Sequence, residues 1–499
     1  MQQVLCEYVE RKALTVTEAI SVVQDILFNT SNTLYNLGLH LDPIGMASSR
    51  NMLPIASDKD WAANLTLLKN FLNKQPSTRY LRLQWLDYTA TLRVRVLPTK
   101  QALKLFDNGA YVTVINVVLG LLQDDYLCPG LAQNTVYDLY PRFESLRLGS
   151  RAGYATLQCE FREKDGTDVP TCPRICLRKQ VEKAGVHGMG FLVGFEIEVV
   201  FMSKEVVDGE IHYGGTPIND GGHAWSTARA LQPDGVVDLL EVIHFSLERA
   251  GIELQQFHPE SSPGQYEFIL DPLPPLAAVD TLLAAREIIS SVAANADLRA
   301  TLYPKPFPAH GGTGAHVHMS FTPADAWQEF YAGVLKHLQA IAAFTYSNDA
   351  SYERVVDSGW AGSTWIAWGT QNRETPVRRI EGSHFEMKCM DGLSNPYLAL
   401  AAIIGAGVQG VLGKEPLTME DCAVDPAKLS ETEKRSLGIT KQFPKSIDEA
   451  LSRLEEDEGM CEILGKPVVD QYRLVKRTEN EKLKQMTPKK RRTWLMERY

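Results

Sequence analysis

Hydrophobic positions change period along this 499-residue chain, and the changes divide it. Near the start they recur at helical spacing. Ile20, Val23, Ile26 and Leu27 follow a cap-like Leu14-Thr15-Val16-Thr17-Glu18-Ala19, and Trp61, Leu65, Leu68 and Phe71 line one face of a helix predicted over 58–73. From Thr78 the period falls to two. YLRLQWLDY and TLRVRVLP read as paired strands joined around Asp87-Tyr88-Thr89, and YATLQCEF over 154–161 reads as a later strand. The turn-rich DGTDVPTCPR over 165–174 marks a boundary, a larger mixed unit follows, and beyond about Lys428 the chain is charged and helical. This predicts an α+β protein in three parts: a helical extension over 1–74, a small domain over 75–167 and a large domain over 168–499.

One apolar stretch reads differently. Pro396 to Gly413 is interrupted by Gln409 and rich in Ala and Gly, which suits a helix packed closely inside a protein better than a membrane span. Within it, Gly405-Ala406-Gly407-Val408-Gln409-Gly410 is a formal match to G-x-G-x-x-G. The preceding NPYLALAAII reads as helix, whereas a dinucleotide site needs a strand there.

Composition narrows the partners. With 44% hydrophobic and 22% charged residues the chain is of ordinary globular type, and a net charge of −10 argues against nucleic acid or an anionic membrane as main partner. The opening MQQVLCEYVERK lacks a basic n-region followed by an apolar h-region, so a cytoplasmic location with reduced cysteines is expected. Only Cys172 and Cys176 lie close, and C-x3-C without a second pair is a poor zinc signal. The basic PKKRR over 488–492 reads as a solvated end of the last helix, with a localisation signal as the alternative.

The candidate chemistry lies in five strand-like segments: GFEIEVVF (194–201), PESSPGQYEF (259–268), GGTGAHVHMS (311–320), WGTQNRETPVRRI (368–380) and SHFEMKCMDGLSNPYLAL (383–400). Side chains two apart on a strand share a face. Glu196 with Glu198, Gln265 with Glu267, His316 with His318, and His384 with Glu386 and Lys388 therefore project together. Clustered carboxylates repel and are costly to desolvate unless a cation neutralises them. Five glutamates and one or two histidines, with an arginine-rich segment, point to divalent metals holding a polyphosphate.

In this order and spacing, the five segments resemble the glutamine synthetase family over about residues 78–475. The resemblance implies a small N-terminal β-grasp domain around LRLQWLDYTATLRVRVLP and a catalytic domain whose curved antiparallel sheet forms a funnel inside helices. It also implies a homo-oligomeric ring with sites between subunits. By resemblance, Glu198, Glu260 and Glu267 hold one Mg²⁺ or Mn²⁺, and Glu196, His316 and Glu386 hold a second on the phosphates of ATP. Arg373 and Arg378 fit an Asn-Arg-x-x-x-x-Arg pattern that clamps phosphates, with Arg373 and Glu267 as the catalytic pair. His318 and Ser320 match positions beside the nucleotide. Gly312, Arg354 and Lys388 match positions around the amino-acid substrate, Arg354 being the one that holds a carboxylate of glutamate.

Departures from the family pattern bear on the substrate. Where ordinary members carry a Gly-Tyr-Glu-like segment that shields ammonium, this chain has Gly359-Trp360-Ala361-Gly362, and no Asp-Gly-Ser-Ser element is recognisable in KLFDNGAYVTVINVV (104–118). A small cation needs such carboxylates to be bound and deprotonated. Lys388 stands where a second carboxylate-binding arginine is usual, keeping the charge and losing the bidentate fork. Gly311 replaces an asparagine, and His384 a nucleotide-contacting arginine. The fingerprint W-A-G…W-G-x-x-N-R-E-x-P-x-R resembles the divergent fungal and plant branch, often fused behind an amidohydrolase domain, and Leu14–Leu37 resembles the last helix of such a hydrolase. No hydrolase metal motif remains in residues 1–74.

The expected function is an ATP- and Mg²⁺-dependent ligase. It activates the γ-carboxylate of glutamate, or a related acid, as an acyl phosphate for attack by an amine or ammonia, the amine being favoured. Trp360 and Trp365 either line a wider amine pocket or are core residues. Glutamine synthesis proper and a non-catalytic ring protein of the same fold are the alternatives, with a metallohydrolase built on H-x-H further off.

Overall fold

The computed structural model describes residues 61–499, except 132, 208–209, 220–221, 224, 228–235 and 360. The helix expected near Leu14–Leu37 and Trp360 lie outside the described residues.

The first described helix, α1 (Trp61–Lys74), buries Leu65 and Leu68 as its periodicity requires. Trp61 wedges among Phe106, Tyr111, Tyr140 and Phe143, with ring centroids 5.4–6.1 Å away. β1 (Tyr80–Leu86) and β2 (Leu92–Pro98) form the predicted antiparallel hairpin. Its turn is organised by the buried Asp87 carboxylate, which accepts from the Thr89 and Thr91 amides at 2.9 and 3.0 Å and from Arg93 Nε at 2.8 Å. After α2 (Thr99–Asp107), β3 (Val112–Ile115), β4 (Val136–Pro141), β5 (Arg147–Leu148) and β6 (Tyr154–Arg162) complete a six-stranded sheet. Its order is β2-β1-β6-β4-β3, with β5 on β6 and a central parallel pair, β1 with β6. Hairpin, helix and parallel return give the expected β-grasp arrangement.

α3 (Pro173–Val186) leads into a nine-stranded sheet. Its strands are β7 (Gly190–Val207), β8 (Glu210–Pro217), β9 (Leu254–Pro259), β10 (Gln265–Leu270), β11 (Leu298–Thr301), β12 (Val317–Thr322), β13 (Trp368–Thr370), β14 (Val377–Glu381) and β15 (His384–Met387). The order is β13-β14-β15-β12-β7-β10-β9, with β8 and β11 also on β7, and all pairs are antiparallel except β13 with β14. β7, 18 residues long, is the spine: β12, β10, β11 and β8 pair with it in succession.

Around this sheet lie α4 (Val236–Arg249), α5 (Pro275–Asn295), α6 (Trp327–Thr345), α7 (Asp349–Arg354) and α8 (Pro396–Gly413). α5 packs on β7, and α8 packs on both α6 and α3. The glycines of α8 serve that packing. A Cβ on Gly333 of α6 would collide with the Ala406 carbonyl and stand 2.9 Å from Gly410 Cα, while one on Gly407 would enter the Phe330 ring. The formal G-x-G-x-x-G is thus a helix–helix contact. α8 is apolar and long enough to cross a membrane by composition, but 78% of it is buried in the core.

The charged C-terminal part is helical as predicted: α9 (Glu431–Ser436), α10 (Ile447–Glu456), α11 (Glu458–Leu464), α12 (Lys466–Lys484) and α13 (Pro488–Met496). PKKRR is a solvated end of the last helix, and it is the N-terminal end of α13. Thr487 caps the start by accepting from the Lys490 amide, and Pro488 takes the first turn, where proline needs no amide partner.

The two sheets are joined by a buried ion network. Glu160 on β6 is fully buried and meets Arg174 Nη1 at 2.7 Å and Arg178 Nε at 3.2 Å, both from α3, and Arg142 Nε at 3.3 Å. Arg174 continues to Asp280 of α5 at 2.9 Å. Burial opposes the charge on Glu160, but the guanidiniums outweigh it and hold the carboxyl below its ordinary value. Among the described residues every cysteine is free, and burial pushes Cys176 and Cys389 up to about 12.

Candidate active site

Alternation along β7 divides its side chains. Val193, Phe195, Ile197 and Val199 are at most 1% exposed and pack in the core, whereas Leu192, Gly194, Glu196 and Glu198, with an edge of Phe195, line a cavity of about 1450 Å³. Register then brings partners to the same face. Glu198 lies directly opposite Glu267 of β10, and Glu267 opposite His258 of β9. In the other direction His318 of β12 stands between Gly194 of β7 and Glu386 of β15, and Glu386 faces Arg378 of β14.

Of the five segments only GFEIEVVF is strand throughout; the others are partly loop, His316 directly preceding β12. Glu260 sits on the loop between β9 and β10, where Pro263 and Gly264, at φ +66°, interrupt pairing. Arg373 sits exposed on the loop between β13 and β14 and still lines the cavity.

Two knots of side chains result. In the first, His316 Nδ1 lies 2.9 Å from Glu196, 3.4 Å from Glu386 and 3.7 Å from Glu198. His318 Nε2 lies 3.0 Å from Glu196 Oε1, and His318 Nδ1 lies 3.0 Å from His384 Nε2. Glu386 also takes Arg378 Nη1 at 2.9 Å and Lys388 Nζ at 3.2 Å. In the second, His258 Nε2 is 3.2 Å from Glu267, and His223 Nδ1 is 3.2 Å from Glu260. Gln265 donates to Glu198 at 2.8 Å and to the Gly312 carbonyl at 3.1 Å.

Arg354, from α7, is buried and donates to His316 Nε2 at 3.0 Å. The glycine run before β12 is compressed against it. A Cβ on Gly312 would stand 2.8 Å from the Pro304 carbonyl, and one on Gly314 2.8 Å from both Arg354 Nη2 and Glu198 Oε1. Gly311, Gly312 and Ser320 line the same cavity. Trp365 does not. It packs beside Ala367, Cys422 and Ile439 with Lys434 Nζ 3.8 Å from its ring, so of its two readings only the packing one survives.

The electrostatics are those of an acid cluster short of positive charge. Burial raises Glu267, His258 partly offsets this, and Glu196 and Glu198 add to it, leaving the carboxyl at about 7. Burial likewise disfavours charge on Glu196, but hydrogen bonds from His316 and His318 prevail and hold it well below the usual carboxylate range. Glu386 is buried too, and Lys388 and His316 bring it down to about 2. His258 is lifted to about 9 by its bond to Glu267. Glu196, Glu267 and His316, then Glu196, His318 and Glu386, and also His258, Glu260 and Glu267, each offer ligand atoms within 4.8 Å of one another. Hard oxygens, a few ring nitrogens and a carboxylate held against its own burial are a donor set that divalent cations fit.

His258 is the residue the sequence pattern missed. It stands two residues before Glu260 on a strand, the same spacing that marked the other pairs.

The glutamine synthetase catalytic domain matches residues 170–495, and this chain belongs to the glutamine synthetase family. It is 40% identical to Protein fluG of Emericella nidulans over 505 residues, all of this chain and 57% of that protein, so it spans little more than half of that relative's length. It is 31% identical to the gamma-glutamylpolyamine synthetase GlnA3 of Streptomyces coelicolor over 363 residues, covering 66% of this chain and 74% of that one. Among solved structures, a GmaS/ADP complex shares the fold, with a TM-score of 0.72 at 22% identity over 86% of this chain and 99% of that one.

Proposed function

We propose that this chain is an ATP- and divalent-metal-dependent ligase that activates the γ-carboxylate of glutamate, or a related acid, as an acyl phosphate for attack by an organic amine. Glu198, Glu260 and Glu267 would hold one cation, and Glu196, His316 and Glu386 the other. Those cations would neutralise charge as a γ-phosphoryl group moves. Arg373, exposed on its loop, and Arg378, bonded to Glu386 and to Gln371 at 3.0 Å, are assigned to the phosphates. His318 and Ser320 are assigned to the nucleotide side. Arg354, whose buried Nη1 has no hydrogen-bond partner among the described residues, is assigned with Gly312 and Lys388 to the acid substrate. The division into a small domain over 75–167 and a catalytic domain over 168–499, with sites shared in a homo-oligomeric ring, belongs to the same reading.

The amine rests on one observation. The cavity wall at Gly359, Ala361 and Lys388 carries no carboxylate, and beyond the metal ligands the only acid among the described lining residues is the exposed Glu381. An ammonium ion would have no counter-charge to hold or deprotonate it there. The likeness to the gamma-glutamylpolyamine synthetase of Streptomyces coelicolor supports an amine as well.

The test is ADP release from ATP, Mg²⁺ and glutamate with ammonium, hydroxylamine, ethanolamine or polyamines. Turnover with an organic amine and little with ammonium supports the reading, whereas efficient turnover with ammonium replaces it by glutamine synthesis. A non-catalytic nucleotide-binding protein is the second reading, favoured by Arg378 and Lys388 occupying both oxygens of Glu386. Mg²⁺-dependent ATP binding without turnover on any amine would select it.

A further inference from the structure

Two imidazoles converge on the carboxylate pair Glu196 and Glu386. Beside His316, the ring of His318 points Nε2 at Glu196 Oε1, 3.0 Å away, and stands directly opposite Glu386 in the β12–β15 register. Its donor atom falls within 4.8 Å of both carboxylates. We infer that His318 serves the nucleotide side through the metal, as an additional ligand of the second cation, that His384 is its positioning residue, and that together they make this site select Mn²⁺ over Mg²⁺. The inference rests on the cluster being a metal site, as proposed above.

Mg²⁺ is hard, keeps oxygen ligands and gains little from a second ring nitrogen; Mn²⁺ shares the preference for carboxylate oxygen but, as a first-row transition-metal ion, bonds imidazole more strongly than Mg²⁺ does. An imidazole that ligates through Nε2 carries its proton on Nδ1 and must donate it to fix its tautomer and orientation. His318 Nδ1 faces His384 Nε2 at 3.0 Å, and the two rings are 5.2 Å apart at 55°. His384 is therefore the acceptor. The arginine that the family pattern has at 384 carries donors only and could not take this bond. The histidine at 384 and the metal-facing ring of His318 are thus one device.

Calorimetric titration of the full chain with MnCl₂ and with MgCl₂, together with pulsed electron paramagnetic resonance of bound Mn²⁺, tests this without any turnover. The wild type is expected to bind Mn²⁺ at least 100-fold more tightly than Mg²⁺. His318→Ala should lose at least tenfold in Mn²⁺ affinity, hold Mg²⁺ affinity within twofold and show one imidazole nitrogen coupling fewer. His384→Ala should lose about tenfold for Mn²⁺, as outer-shell partners of ligating histidines do, and His384→Gln, whose amide oxygen accepts, should restore it. Equal losses for both ions, or an unchanged nitrogen coupling in His318→Ala, would overturn the inference while leaving the ligase reading intact. A wild type that binds neither ion would overturn both.

Discussion

Replacing Glu267 by glutamine should make the metal-free protein more stable and weaken its response to metal. The side chain is 6% exposed, faces Glu198 across β7 and β10, and has its carboxyl lifted from 4.5 to about 7. At about 1.4 kcal/mol per pH unit, keeping it ionised costs the folded chain on the order of 3 kcal/mol. The amide keeps the shape and drops the charge. His258 then loses its ionic partner, which takes part of the gain back, so a net stabilisation of about 1–2 kcal/mol is expected at pH 8. The sign fixes the pH window. A folded-state pKa above the ordinary value means the folded chain binds the proton more tightly, so wild-type stability falls as pH rises from about 4.5 through 7. The variant should lack that fall and match the wild type below pH 4.5. Urea unfolding with EDTA, from pH 4 to 8, measures the difference. Added Mg²⁺ should stabilise the wild type at pH 8 by more than it stabilises the variant, which keeps only the Glu196–Glu386 group. A Glu267→Gln protein that is less stable than wild type at pH 8 without metal would refute the view that this carboxylate is held at a cost for a cation.

Other outcomes follow from the same geometry. Arg373→Ala should leave urea unfolding within about 0.5 kcal/mol of wild type, because the side chain is exposed, while slowing ADP release at least 100-fold if it holds a transferring phosphate. Glu160→Ala should cost about 3 kcal/mol in the same unfolding assay, because it removes the buried carboxylate that Arg142, Arg174 and Arg178 share and leaves them only their outer partners. Gly333→Ala should cost about 1–3 kcal/mol by forcing α6 off α8, with no change in metal affinity. His258→Ala should weaken cation binding at the Glu260–Glu267 end and leave the His318 nitrogen coupling of bound Mn²⁺ unchanged.

Much of the site was legible because strand alternation is local. Glu196 and Glu198 announce themselves on β7 with an apolar neighbour between them, and so do His316 and His318 at the start of β12 and His384 and Glu386 on β15. The hairpin of β1 and β2 was legible for the same reason, its period of two ending at a turn whose Asp87 satisfies the backbone. What escaped was decided by distant partners. His258 matters through its register with Glu267, which no single segment records. Glu160 reads as an ordinary strand residue until α3 and α5 close over it. Arg373 and Glu260 reach the cavity from loops, where proline and glycine break the pattern that made their neighbours readable. Trp365 lies only three residues from the strand Trp368–Thr370 yet turns away to a separate cluster, a choice made by Ala367, Cys422 and Ile439.

Because β7 interleaves cavity and core one residue at a time, the two can change independently. A substitution at Leu192, Gly194, Glu196 or Glu198 retunes the chemistry and leaves Val193, Phe195, Ile197 and Val199 where they pack. A lineage can therefore abandon or replace its reaction while the shell stays intact, and overall shape will not betray the change. An insertion of one residue does the opposite. It would swap the faces, driving glutamates into the core and phenylalanine into water, so that fold and chemistry fail together. Point drift is cheap along this strand, and length is frozen.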